Sequence, residues 1–151
     1  MRSKIVTTYL GILASGALLL AAPASADVAG SVTTVSGKAE VQSGGAGAWK
    51  PLSVDNEVSV GDHLRTGTGG ALTVTYRDGS TIALESDSEL VIDEQTLPAA
   101  GPQVSLFSLD RGKLNVAVPK GQYDKPGARF EVKTTTAVAG VRGTKFTIEA
   151  E

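Results

Sequence analysis

Few side chains in these 151 residues could carry catalysis. There is one histidine, His63, and no cysteine. A thiolate nucleophile, a disulfide framework and a lipid-modified cysteine are therefore excluded. A histidine acts as a base only beside a positioned partner, and His63, between Gly61-Asp62 and Leu64-Arg65-Thr66, reads as a surface residue. Asp62 after a glycine, and Asp78 before Gly79, read as turn residues that bond nearby backbone rather than as general bases. Glu85, Asp87, Glu89, Asp93 and Glu94 could attract calcium, but they lack the glycine and the ligand spacing of a calcium loop. In a strand, Glu85, Asp87 and Glu89 would share one solvated face. Gly140-Val-Arg-Gly-Thr144 lacks the G-x-x-x-x-G-K-[ST] spacing of a phosphate loop. It reads instead as a tight bend in which Gly140 and Gly143 permit positive φ or close backbone approach. Arg142 would there pair with a carboxylate such as Asp110 or Glu131, and Thr144 would satisfy a backbone group. Ser86 and Ser88 have no histidine in a triad arrangement. No catalytic residue, metal or cofactor is expected.

The elements that must hold these residues begin after residue 26. Arg2 and Lys4 precede an uncharged run from Ile5 to Ala22, and Pro23-Ala-Ser-Ala26 ends in the small residues that a signal peptidase reads. Residues 1–26 thus read as a signal peptide cleaved before Asp27, which makes the mature protein periplasmic or secreted, with no stable membrane anchor. Residues 27–151 form one domain with 12 basic and 16 acidic groups, a net charge of −4 that gives no footprint for nucleic acid.

Val, Ile and Thr supply 31 of those 125 residues and Gly 16 more, and β-branched side chains favour strands. No sustained helical period appears. Alternation of period two does: Leu72, Val74 and Tyr76 share a face, and Ile82 and Leu84 continue it beyond the two-residue hairpin signal Asp78-Gly79. Leu90 and Ile92, Val104 and Leu106, Phe130 and Val132, and Phe146 and Ile148 repeat the pattern. Phe107 joins Phe130 and Phe146 in the expected core. Asp110-Arg-Gly112 is expected to turn the chain into Lys113–Val118. Glu94–Pro102 and Pro119–Gly127 read as surface loops. The candidate partner surface is Trp49, Lys120, Tyr123 and Lys125. Trp49 either packs over a core edge or marks a binding surface, and Tyr123 is the expected exposed anchor, removable without loss of stability. Short strands joined by turns predict an all-β sandwich, roll or solenoid.

Several segments resemble a FecR domain: Val35–Val41, Trp49-Lys-Pro-Leu52, Gly61–Thr66, Asp78-Gly-Ser80, Ser88-Glu-Leu90 and Leu109–Leu114. The most specific is Phe130–Thr134 followed by Ala137-Val-Ala-Gly-Val-Arg-Gly-Thr-Lys-Phe146. The resemblance covers roughly residues 30–149. It implies an antiparallel-rich, twisted β-solenoid or roll that acts as a protein-interaction module. It makes Gly61, Asp62, Thr66, Asp78, Gly79, Gly112, Gly140, Arg142, Gly143, Thr144 and Phe146 structural motif positions. Signalling members are periplasmic receivers that contact an outer-membrane siderophore transporter and control a sigma factor through a cytoplasmic segment. Here four residues precede the apolar run and the sequence ends at Glu151, where members commonly continue. The expectation is a stand-alone exported domain without the anti-sigma segment, or one truncated at its C-terminal end. Its partner is expected to be another envelope protein. The alternative is an envelope structural or glycan-binding (peptidoglycan-binding) module, favoured if Trp49 and Tyr123 share an exposed groove.

Overall fold

The protein is described by a computed structural model over residues 26–151. The expected leader, residues 1–26, falls outside them except for Ala26. Among the described residues no helix is long and apolar enough to cross a membrane.

Among the described residues there are twelve strands: β1 Val28–Ser36, β2 Ala39–Gln42, β3 Lys50–Pro51, β4 Glu57–Ser59, β5 His63–Thr66, β6 Ala71–Tyr76, β7 Thr81–Leu84, β8 Glu89–Thr96, β9 Val104–Ala117, β10 Arg129–Lys133, β11 Val138–Val141 and β12 Lys145–Ala150. A single 3₁₀ turn, Ser43–Gly45, interrupts them. The strands join in the order β3-β2-β5-β8-β9-β7-β6-β1-β4, with β10 and β12 also bonded to β9 and β11 bonded to β10. All pairs are antiparallel except β10 with β9. The all-β, antiparallel-rich expectation holds, and the sheet is curled into a half-barrel.

The curl originates in β9. Its first part, Val104–Arg111, pairs with β8 and β10, and its second, Gly112–Ala117, with β7 and β12. Asp110-Arg-Gly112 is therefore not the expected turn but a bend within one strand of 14 residues. Asp110 is the extra residue where the β8–β9 register shifts, and Gly112 two positions on, at φ 87°, lets the strand re-aim without ending its pairing. Two other expectations shift for the same reason, that ladder pairing extends past what composition suggests. Glu94, Gln95 and Thr96 pair with Leu106, Ser105 and Val104, so the loop expected at Glu94–Pro102 starts only at Leu97. The β6–β7 loop has three residues, Arg77-Asp78-Gly79, closed by Tyr76 N to Ser80 O at 2.9 Å, rather than two.

Period-two burial is clean where it was expected. In β6, Leu72, Val74 and Tyr76 are buried while Thr73 and Thr75 are half-buried. Phe107 is fully buried, with its ring 4.8 Å edge-on from Tyr76 and 5.3 Å from Phe130. Each such ring contributes about 1.5–3 kcal/mol on burial, so this aromatic column ties opposite sides of the curled sheet together. Phe146 and Ile148 pack against the core but are only half-buried.

Candidate functional site

The β6–β7 hairpin places Asp78 in the interior. Its Oδ1 accepts from Ser80 N at 2.8 Å and from Ser80 Oγ at 2.6 Å, which is the expected turn role. Its Oδ2 does more, accepting from the Tyr123 hydroxyl and lying 3.3 Å from Ser105 Oγ. Ser105 Oγ is also 2.8 Å from the Tyr123 oxygen. Tyr123, expected at the surface, is instead 1% exposed, with its ring 5.6 Å edge-on from Phe130. The physical reason is pairing: a buried carboxylate needs donors, and the Pro119–Gly127 loop supplies one by turning its tyrosine inward. Burial, reinforced by the Asp78 carboxylate, pushes the Tyr123 hydroxyl well above the usual phenol range. Tyr76 is raised in the same way, by burial first and the Asp78 charge second. The cluster is sealed beneath the loop, and its chemistry is to hold that loop down.

Asp62 and Thr66 are likewise engaged in holding the chain. Asp62 is buried, its Oδ1 accepting from Gly44 N at 3.0 Å and its Oδ2 from Ser59 N at 2.9 Å, so it clips the 3₁₀ turn after β2 to the β4–β5 turn, beside Gly61. The Thr66 hydroxyl donates to the Glu85 carbonyl at 2.6 Å and accepts from Ser88 N at 3.0 Å. His63 is half-exposed, and a side chain on Gly45 would lie 2.6 Å from its Nε2, so the imidazole rests on the glycine turn. Glu85 and Asp87 do not form a strand face with Glu89: they sit in the β7–β8 turn, with Asp87 at φ 55°. Glu85 accepts from Asn115 Nδ2, Asp87 from the Thr68 hydroxyl, and Glu89 faces Arg111 at 3.5 Å.

The Gly140–Thr144 segment divides. Gly143 has φ 62°, and a Cβ there would meet Lys120 Cα at 3.0 Å, so this half of the bend is as expected. Gly140 is not: it lies in β11 with negative φ and nothing within 4 Å of a Cβ, because the turn begins only after Val141. Arg142 is exposed and, among the described residues, pairs with neither Asp110 nor Glu131; register puts Glu131 opposite Gly140 instead. At Thr144 the backbone carbonyl, not the hydroxyl, does the bonding, accepting from Val118 N at 3.1 Å.

A half-buried cluster of polar and aromatic side chains that reaches the surface lies elsewhere, around β2, β3 and β5. Antiparallel register sets Glu40 of β2 opposite Arg65 of β5, with Pro51 of β3 on its other side. Arg65 Nε and Nη2 both reach Glu40 Oε2 at 2.7 Å, and Lys38 Nζ lies 3.3 Å from Oε1. The Arg65 hydrogen bond holds the Glu40 carboxyl below its usual range. Arg65 Cζ stands 4.0 Å from the centre of the Trp49 ring, a cation–π stack over a half-buried indole. Trp49 was singled out by its sequence setting. Arg65 and Glu40 were not, although the two-residue alternation of β5 and β2 puts them on the outward face. Lys120 and Lys125 are exposed on the Pro119–Gly127 loop. With Tyr123 buried, Trp49 and Tyr123 share no surface groove.

A family model described as FecR protein matches residues 62–151. None of the curated proteins compared matches the chain. A solved structure described as a cell surface anchoring domain is 27% identical over 42% of this chain and 82% of its own, with a TM-score of 0.39.

Proposed function

The chain belongs to the FecR family, and on that footing we propose that it is a non-catalytic protein-interaction module of the cell envelope. It works outside the cytoplasm, as a periplasmic or secreted protein released by cleavage before Asp27. The family is one of signalling regulators, not of enzymes.

The observation that carries this reading is the Arg65 guanidinium laid on Trp49 and fixed there by Glu40. Tryptophan and arginine dominate the energetics of protein interfaces, and a preset side chain loses little freedom when a partner arrives. The interior carboxylates of Asp62 and Asp78 and the hydroxyls of Thr66, Ser105 and Tyr123, by contrast, are spent on holding the chain. The partner is another envelope protein, and Lys120 and Lys125 add a second, loop-borne contact to it. A glycan-binding role would call for a pair of open aromatic faces, and the burial of Tyr123 removes one of them.

In-cell crosslinking of the tagged protein, followed by mass spectrometry of periplasmic and membrane fractions, tests this reading. A reproducible protein partner is expected, lost by roughly tenfold in Arg65→Glu. Recovery with sacculus fragments alone would replace the reading with the glycan-binding one. The same spectra report whether the mature N-terminus is Asp27.

A further inference from the structure

Strand β12 is bonded to β9 along all six of its residues, and among the described residues nothing pairs with its other edge. The ladder fixes which backbone groups are free. Thr144 O accepts from Val118 N, so the even-numbered residues Phe146, Ile148 and Ala150 exchange bonds with β9. Lys145, Thr147 and Glu149 then direct their N–H and C=O groups to the open side. The same three have exposed side chains, whereas Phe146 and Ile148 are half-buried against the core.

This edge is complementary to itself. Laid antiparallel against a second copy about a twofold axis at Thr147, it sets Lys145 opposite the copy's Glu149, Thr147 opposite its own equivalent, and Glu149 opposite Lys145. These are the residues whose backbone groups point outward, so the register that matches the charges is also the one that forms hydrogen-bonded pairs. On the inner face it sets Phe146 against the copy's Ile148, and each covers what the other leaves exposed. The charges are available: among the described residues Lys145 has no carboxylate partner, and Glu149 has only Lys113 at 3.9 Å.

We infer that the protein forms a twofold-symmetric dimer by continuing its sheet through β12, with Lys145–Glu149 pairs fixing the register. The β2–β3–β5 surface is not used, so this dimer stands or falls independently of the proposed envelope partner. An isologous contact of this kind closes at two copies and leaves no free β12 edge for further growth.

Sedimentation of the protein as the cell produces it, with two charge reversals, tests the dimer. A dimer is expected at micromolar concentration. Lys145→Glu and Glu149→Lys should each weaken it roughly tenfold or more by setting like charges opposite one another twice, and the double variant should restore it. Because the chain has no cysteine, Thr147→Cys supplies an independent readout. The paired Cα atoms would lie about 5.5 Å apart, within disulfide reach, so mild oxidation should link two chains, whereas Thr33→Cys on β1 should not. A monomer at every concentration, or single reversals that dimerise as tightly as the parent, would overturn the inference.

Discussion

Ser88 occupies the space that a side chain at Gly112 would need. A Cβ on Gly112 would fall 2.3 Å from Ser88 Oγ and 2.6 Å from its Cα. In that space the Ser88 hydroxyl accepts from Lys113 N at 2.9 Å and approaches the Lys113 carbonyl at 3.0 Å. It thus stands in for a ladder partner at the point where β9 leaves β8 and joins β7. One glycine and one hydroxyl let a single strand serve both sides of the curled sheet.

Gly112→Ala should therefore lose about 3 kcal/mol or more, combining a left-handed backbone with overlap on a neighbouring main chain. Ser88→Ala should lose about 1–3 kcal/mol, because Lys113 N is left without its partner. Urea unfolding measures both, and wild-type stability in Gly112→Ala would refute the bend.

Tyr123→Phe keeps the ring on Phe130 but removes a donor from Asp78. A loss of about 1–3 kcal/mol is expected, with Tyr123→Ala losing about 3–5 kcal/mol as a cavity is added. This reverses what the loop composition predicts, since an exposed Tyr123 could be deleted with no change in thermal midpoint.

The two glycines of the Gly140–Thr144 segment should respond oppositely. Gly143→Val forces a β-branched residue into positive φ against Lys120 and should cost about 2–4 kcal/mol. Gly140→Val, in extended backbone with open space around it, should leave the thermal midpoint within about 2 °C of the parent. Calorimetry of the pair decides the assignment.

Both described tyrosines have folded-state pKa values raised by burial. Their contribution to stability is complete below the ordinary phenol pKa of about 10 and declines as pH rises above it. Tyrosinate absorbance should therefore appear together with unfolding in an alkaline titration. Ionisation at pH 10 with the sheet intact would contradict the buried positions.

Glu40 shifts the other way. Its pKa is lowered, chiefly by the Arg65 hydrogen bond. The stabilisation it brings is present above the ordinary carboxylate pKa and fades as pH falls through the lowered value. In a carboxylate NMR titration, Arg65→Gln should move the Glu40 midpoint upward, and no movement would mean that the Arg65–Glu40 contact does not persist in solution.

The strand content of this protein is written locally. Leu72, Val74, Tyr76, Ile82 and Leu84 alternate because successive side chains in an extended backbone point to opposite faces, and one sheet face must be dry. Asp62 and Asp78 could be read as turn residues because their first hydrogen-bond partners lie within three positions. Gly143 could be assigned to a bend because only glycine enters that backbone region freely. The remaining features depend on partners far away in the chain. Ser105 lies 27 positions from Asp78 and Tyr123 lies 45, so loop composition could not say that the tyrosine turns inward to satisfy a buried carboxylate. Asp110-Arg-Gly112 has the composition of a turn, and it became a bend only because β7, β8, β10 and β12 were all present to pair on either side of it. Arg65 reached Trp49 and Glu40 through the register of three strands. Side-chain periodicity is set by dihedral sterics within a few residues, whereas burial and hydrogen-bond saturation are settled among groups that only the curled sheet brings together.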